Sequence, residues 1–322
     1  MFGLEQATAD AAQLCDGVMK MLAAQLAPDS GASVELPDFN TVCAALHIPL
    51  ERTVRLGDGD ARLPHRITCG RASELERSAW RVWYEGGVHE VLSAQMVDAL
   101  VARVRAALRP STGCATATPQ APTPVASAKS TSEMGAVAHD LPVVLECGAG
   151  SGVLAAHLAT RLRGEARVVA VDDSSSRIHA LAPVQQLDYT AALAKYKPRV
   201  VLAAWMPSGL DWTEAMRACA SVHEYILLGE ADGAACGDLW ATWGVLPAVG
   251  CARCGSDGCE RCDTGLDEDS VAPYIDDGFA RAELPGVQRY QLCRFDSAAA
   301  RGFSSAIAFT RVQHISHKRA KR

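Results

Sequence analysis

The chain lacks any uninterrupted apolar run of membrane-spanning length, and its first residues lack the charged-then-apolar pattern of a secretory signal. We therefore expect a soluble cytoplasmic protein with no membrane partner. Basic residues are not in excess either, since the formal charge is −6 and the isoelectric point is near 5.9. This balance excludes a nucleic-acid surface that covers the whole body, although it leaves room for a local basic patch.

A disulfide framework is not expected. The sequence has 12 cysteines, but they are scattered along 322 residues without an export signal. Reduced thiols are therefore predicted for most of them. Because 49% of the residues are hydrophobic, the chain can bury a full core and has room for more than one folding unit.

The N-terminal part, residues 1–108, is predicted to be mainly helical. Apolar residues in its last segment recur at helical spacing, and Pro110 follows them as a helix breaker. The residues of this stripe are Val97, Leu100, Val101, Val104 and Leu108. Residues 109–140 are rich in Pro, Ala, Ser and Thr, and this composition predicts a flexible linker.

The most informative segment is 143–152, which reads Val-Val-Leu-Glu-Cys-Gly-Ala-Gly-Ser-Gly. The apolar run predicts a buried strand, and the glycines that follow allow its exit turn to approach a ligand without Cβ atoms in the way. A dinucleotide fingerprint would need its third glycine at position 153, where the chain has Val153. The spacing therefore favours a nucleotide-like ligand other than a dinucleotide.

The residues downstream complete a strand–helix–strand unit. Leu154, Leu158 and Leu162 lie at helical spacing, and Gly164 provides a helix stop. A second apolar run, 168–171, then ends at two acids, Asp172 and Asp173. This is the unit expected of a parallel nucleotide-binding sheet.

Together these residues resemble motif I and the strand-two acid of the class I methyltransferases, which bind S-adenosylmethionine (SAM). The resemblance covers residues 141–312 and implies an α/β fold, a Rossmann-like sheet with a closing antiparallel hairpin, preceded by the mainly helical N-terminal unit. It also implies that the glycine turn lies close to the amino acid and ribose portions of SAM. Residues 205–212 and the later Gly-Glu-Ala-Asp resemble a eukaryotic methyltransferase-like group of unassigned substrate.

The same resemblance assigns the cofactor residues. An acid at the tip of the second strand accepts hydrogen bonds from two ribose hydroxyls, a role carried to Asp172 first and to Asp173 second. Asp188, after a short third strand at 184–187, is the candidate for holding the adenine amino group. The full set of candidate cofactor-binding residues is Glu146, Gly148, Ala149, Gly150, Gly152, Asp172, Asp173 and Asp188.

Further strands are predicted at 199–204 and 224–228, and an antiparallel pair at 290–295 and 304–310. Ligands of open parallel sheets lie beyond the carboxyl ends of the strands, so the residues that follow these strands face one crevice. The candidates for acceptor binding and catalysis are Trp205, Asp211, Glu230 and Asp232. A carboxylate there can take a proton or orient an amine, and an indole can cover a ring or a cation.

Each of these residues also has a structural interpretation. Trp205 can line the adenine pocket, Asp211 can cap the next helix, and Glu230 can pair with a basic residue. Trp205-Met206-Pro207 replaces the Asn-or-Asp, Pro-Pro, aromatic pattern of the family's amino-methylating enzymes. This departure disfavours methylation of an adenine or a glutamine amide and leaves the acceptor open, with a small molecule or a protein favoured.

A four-cysteine insertion is predicted at 250–265. Cys251, Cys254, Cys259 and Cys262 form two Cys-x-x-Cys pairs, the soft ligand set that tetrahedral zinc prefers. The separation between the pairs is short, so a two-disulfide loop or an unliganded surface insertion is the alternative. If zinc binds, it is structural, because four cysteines leave no open coordination position.

The sequence thus predicts a SAM-dependent methyltransferase. One alternative is a SAM-binding scaffold, and another is a nucleic-acid methyltransferase that uses the cysteine loop and the basic tail, residues 313–322, for partner contact. The tail is either merely solvated or a nuclear address. An NAD-dependent dehydrogenase ranks behind these because of Val153.

Overall fold

A computed structural model describes residues 36–45, 89–109, 141–176, 178, 180–231, 236–246, 270–291 and 304–312. Predictions for residues 110–140, Asp232, the four-cysteine insertion and the basic tail lie outside the described residues. Within the described part of the chain, no helix has the length and apolar character needed to cross a bilayer.

The described residues form the following elements. The helices are α1 (Phe39–Ala45), α2 (Ala94–Leu108), α3 (Val153–Arg161), α4 (Tyr189–Tyr196), α5 (Thr213–Ala218), α6 (Pro273–Asp276) and α7 (Pro285–Gln288). The strands are β1 (Val143–Cys147), β2 (Arg167–Asp172), β3 (Gln185–Gln186), β4 (Val200–Ala204), β5 (Glu224–Glu230), β6 (Phe279–Glu283) and β7 (Ser304–Arg311).

The strands form one sheet in the order β3-β2-β1-β4-β5-β7-β6. Strands β1 to β5 pair in parallel, whereas β7 is antiparallel to both β5 and β6. The chain proceeds outward from β1 through β2 to β3 and then returns to β4 on the other side of β1, so the strand order reverses between β1 and β4. This is the topology of a Rossmann-like α/β sheet, and it confirms the predicted fold class.

Both faces of the sheet are covered, which explains why all five residues of β1 are buried. On one face, Val144 and Leu202 share a core with Leu100 of α2 and Leu158 of α3. On the other face, Leu145 shares a core with residues of α4 and α5, including Leu193. The predicted stripe of α2 is therefore its buried face, and the helix packs directly on the sheet.

An ion pair between a partly exposed arginine and a buried glutamate connects α2 to β5 and β7. Arg103 Nε donates to Glu224 Oε1 of β5 at 2.8 Å, and Arg103 Nη2 donates to Thr310 Oγ1 of β7 at 2.9 Å. Glu224 is only 1% exposed. Because an unpaired buried charge is costly, this contact makes the docking of α2 and the pairing of β5 with β7 depend on each other.

The predicted strand at 290–295 is wrong where the structure describes it. The partner of β7 is instead β6, and Pro285 begins a short helix directly after that strand. Proline at the first helical position is favourable, since its missing N–H would have no helical partner. The ring of Tyr290 lies edge-on to Phe39 of α1 at 5.3 Å, so this aromatic residue contributes to helix packing.

Candidate functional site

The glycine turn follows β1 at the carboxyl edge of the sheet. Gly148, Gly150 and Gly152 all have positive φ, at 66°, 50° and 75°, a region that side chains with a Cβ rarely adopt. Backbone hydrogen bonds hold the turn against the end of β2, because Ala149 N–H donates to Val171 C=O at 2.9 Å. The turn thus has the conformation that the glycine spacing predicts.

Asp172 lies beside this turn at the tip of β2. Its Oδ2 accepts the Gly150 N–H at 2.9 Å, and its Oδ1 accepts the Ser174 N–H at 2.7 Å. The side chain is half-buried. Since each carboxylate oxygen has two lone pairs, Asp172 can accept further hydrogen bonds from a ligand.

Asp173 is placed differently. It is exposed, and its Oδ1 accepts the Ser175 N–H at 2.8 Å. Hydrogen bonds from Ser175 lower the pKa of this carboxyl. Of the two adjacent acids, Asp172 is the one that contacts the glycine turn.

Glu146, next to last in β1, is a buried acid at the same edge. It is 3% exposed, and its Oε2 has no hydrogen-bond partner among the described residues. Burial raises its pKa to about 8, the N–H of Ala155 in α3 opposes this shift, and the nearby Asp172 adds to it. Glu146 is therefore largely protonated at neutral pH in the ligand-free protein.

This buried acid predicts a pH dependence of stability. The folded protein retains the Glu146 proton up to about pH 8, whereas the unfolded chain loses it near 4.5, so the free energy of unfolding falls as pH rises between these values. Replacing Glu146 by glutamine should remove about 1.5 kcal/mol of the stability loss between pH 6.5 and 8. Denaturant unfolding of both proteins at several pH values measures this.

A second buried group, His157 in α3, also titrates differently in the two states, because burial lowers its pKa from 6.5 to about 4. Both proteins retain His157, so its contribution to the pH dependence cancels when the two are compared. If Glu146→Gln and the wild type lose stability equally between pH 6.5 and 8, the protonated state assigned to Glu146 is wrong.

Asp188 follows β3 and begins α4. Its Oδ1 accepts the backbone N–H groups of Thr190 at 2.8 Å and Ala191 at 3.3 Å, which makes it the N-cap of the helix. The hydrogen bond from the Thr190 hydroxyl lowers the pKa of this exposed carboxyl. The role at the adenine amino group stays a prediction, and the cap explains how the side chain is oriented at this edge.

Trp205, the first residue after β4, is held in a strained conformation. Its φ is 56°, and its N–H donates to Leu228 C=O of β5 at 2.8 Å. The indole Nε1–H donates to Glu90 Oε2 at 3.3 Å, and the ring stacks on His89 with centroids 5.9 Å apart. Such strain in a residue other than glycine persists only where surrounding contacts impose it, often at functional sites.

Glu230 ends β5 and is 7% exposed. It lies one strand away from Trp205 at the same edge of the sheet, since Ala204 is paired with Leu228. His89 and Glu90, which lie a few residues before α2, also reach this edge through their contacts with Trp205. Sequence reasoning missed both, because they lie far from the methyltransferase-like segment and no local pattern marks them.

Asp211 is engaged in polar contacts just before α5. Its Oδ1 accepts the Thr213 N–H at 2.9 Å and the Thr242 hydroxyl at 3.1 Å, and its Oδ2 lies 3.8 Å from Arg217 Nη2. These contacts have the kind of structural role that the alternative interpretation gave Asp211, although the N-cap residue of α5 is Trp212 and Asp211 precedes it. A catalytic role for Asp211 stays a prediction.

Trp212, which the sequence did not single out, lies against the glycine turn, and a second such aromatic residue, Tyr189, stacks on it. A Cβ built on Gly148 would be 2.7 Å from Cη2 and Cζ3 of Trp212. Trp212 stacks on Tyr189, with centroids 5.2 Å apart and an interplanar angle of 23°. The sequence places Tyr189 directly after Asp188 and Trp212 in the segment after β4, but only the tertiary fold brings the two rings together.

The remaining glycines of the turn contact the segment after β2. A Cβ on Gly150 would be 3.2 Å from Ile178 Cδ1, and one on Gly152 would be 2.5 Å from Val184 Cγ2. The N–H of Leu181 donates to Ser151 C=O at 2.9 Å. Glycine is therefore required here for close packing as well as for backbone conformation.

No group of three or more His, Cys, Asp or Glu side chains in the described ranges is arranged to hold a metal ion. The four cysteines proposed as zinc ligands lie outside those ranges.

No family model and no curated protein matches the chain. Similar solved structures include the CurJ carbon methyltransferase, at 14% identity and a TM-score of 0.31, with 56% of this chain and 50% of that chain covered. The DszA carbon methyltransferase is 14% identical with a TM-score of 0.31, and the match covers 56% of this chain and 49% of that chain. An O-methyltransferase family protein from Burkholderia thailandensis is 12% identical with a TM-score of 0.29, and the match covers 86% of this chain and 71% of that chain.

The chain spans about half the length of the two carbon methyltransferases. Similarity this low supports no statement about activity, and the resemblance to a eukaryotic group stays a prediction.

Proposed function

We propose that this protein is a SAM-dependent methyltransferase. The observation that supports this most is the contact between Asp172 Oδ2 and the Gly150 N–H, which joins the strand-two acid to the glycine turn. The pair lies beside the point where the strand order reverses between β1 and β4, and ligands of such sheets bind in that crevice. A dinucleotide is disfavoured because Val153 replaces the third glycine of the fingerprint.

The residues present fit this cofactor. Asp172 would accept hydrogen bonds from the ribose hydroxyls, with Asp173 as the second choice, and Asp188 would hold the adenine amino group. The backbone of the glycine turn, Gly148 to Gly152, would lie against the amino acid and ribose portions. The Oε2 atom of Glu146, without a partner among the described residues, is a buried polar atom available to a ligand, as a donor while the carboxyl is protonated and as an acceptor when it is ionised.

When bound, SAM supplies a methyl group on a positively charged sulfur, which a nucleophilic atom of the acceptor can displace. The protein's own contribution is to hold that nucleophile at attack distance and to exclude water, which can lower the barrier by on the order of several kcal/mol. Trp205, Asp211 and Glu230 are the described candidates on the acceptor side, where an indole face and carboxylates can orient an amine or a ring.

A nucleic-acid acceptor is not favoured. Carboxylates end or follow the strands at this edge, namely Asp172, Asp173, Asp188 and Glu230. Such an edge repels phosphate groups and attracts cations. The acceptor that fits this charge is a small molecule or a protein side chain.

The proposal is tested by methyl transfer from methyl-labelled SAM to panels of small molecules, peptides and single-stranded RNA. We expect label in a small-molecule or peptide fraction. Steady transfer to RNA, with binding that weakens steeply as salt is added, would favour the nucleic-acid alternative. Tight SAM binding without transfer to any panel would favour the scaffold alternative.

We further propose that Cys251, Cys254, Cys259 and Cys262 hold one structural zinc ion. Metal analysis of protein purified without added zinc should give about one equivalent. Cys254→Ser and Cys259→Ser should each lose it. Cys219→Ser is the control, because Cys219 is a half-buried free cysteine beside Ser221 and should leave the zinc content unchanged. Zinc retained in both test variants, or absent from the wild type, would contradict the proposal.

A further inference from the structure

Trp212 connects the two strand exits that border the crevice. It lies in the segment after β4, and its indole rests on Gly148, the first residue of the turn after β1. The strand order reverses between β1 and β4, and ligands of such sheets bind in the crevice at that point. The Trp212 ring therefore lies beside the crevice in which a ligand would bind. A ligand held by the glycine turn would therefore be in contact with Trp212.

The surroundings of this ring are electronegative. Tyr189 stacks on one side of Trp212. Burial raises the pKa of the Tyr189 hydroxyl, and the nearby carboxylates Asp188, Asp211 and Glu214 raise it further. An indole face backed by a second ring, with carboxylates near that second ring, is a favourable environment for a cation.

We propose that Trp212 is the residue by which this site prefers the positively charged SAM to its neutral product, S-adenosylhomocysteine. This inference rests on the proposed function. The two ligands share the adenosine and the amino acid portion and differ in the sulfur, which is a sulfonium in SAM and a thioether in the product. A cation–π contact with the indole would stabilise only the sulfonium, so it would favour cofactor binding and product release together.

The test compares the dissociation constants of SAM and S-adenosylhomocysteine by calorimetry. Trp212→Leu should weaken SAM binding by about three- to thirtyfold and S-adenosylhomocysteine binding by less than about threefold. Trp212→Phe, which keeps a smaller aromatic face, should give an intermediate ratio of the two constants. Trp240→Leu, which removes a half-exposed indole from the 236–246 segment, should leave the ratio unchanged.

The outcomes separate this inference from the proposed function. If the wild type binds SAM but Trp212→Leu weakens both ligands by the same factor, Trp212 is only a wall of the site and the inference is wrong. If Trp212→Leu does not fold, a ratio in Trp212→Phe equal to that of the wild type overturns it equally. If the folded wild type binds neither ligand, the proposed function fails first.

Discussion

Asp172→Ala is expected to weaken SAM binding by about a hundredfold or more. In the proposed site the substitution would remove the acceptors for two ribose hydroxyls, and hydrogen bonds to a charged group contribute about 1.5–3 kcal/mol each. It also removes the anchor of the Gly150 N–H, which holds the turn against β2. Calorimetric titration of both proteins with SAM measures the effect, and circular dichroism checks that the variant is folded.

Asp173→Ala is the matched control, since it removes the neighbouring carboxylate from the same loop. Asp173 is exposed and bonds only locally to Ser175 among the contacts described, so this variant should bind SAM within about threefold of the wild type. If Asp173→Ala loses binding and Asp172→Ala retains it, the two acids have been assigned in the wrong order. If neither loses binding, the ribose contact is made elsewhere.

Arg103→Met is expected to destabilise the protein by about 3–5 kcal/mol, because it leaves the carboxylate of Glu224 buried without its charged partner. Methionine retains much of the apolar length of the side chain, so the lost charge dominates. The substitution also tests how α2 is attached to the sheet. This helix belongs to the N-terminal region, yet Arg103 connects it to β5 and β7. Chemical denaturation measures the change.

Arg105→Met, two residues further along the same helix, provides the comparison. Arg105 pairs with Glu165 at the surface, where the two side chains are 42% and 45% exposed, so its loss should change stability less than loss of Arg103. Equal effects of the two substitutions would mean that burial of the Arg103–Glu224 pair has no special importance, and that α2 does not depend on it for docking.

The features predicted well from the sequence are those that local pattern determines. The apolar runs that form β1 and β2 are stable only when their side chains are buried, so their sequence alone predicts buried strands. The glycines at 148, 150 and 152 adopt the positive φ values that their spacing suggested. The acid at 172 follows from the same pattern, because a strand that ends at the carboxyl edge delivers its last residue to the crevice.

Features that depend on tertiary contact were not predictable in this way. The edge strand β6, Phe279–Glu283, alternates small and charged residues, and this pattern is weak compared with the segment 290–295, which begins with Tyr290 and ends with Phe295. Trp212 reaches Gly148, and Glu90 reaches Trp205, from distant positions in the chain. No spacing rule connects such pairs.

The most direct test of the account is calorimetric titration of the wild-type protein with SAM, with NAD as the control ligand. The account predicts saturable binding of about one SAM per chain and no binding of NAD, because the glycine turn and Asp172 fit an adenosine with one ribose while Val153 disfavours a dinucleotide. A folded protein that binds no SAM, or that binds NAD instead, would contradict it.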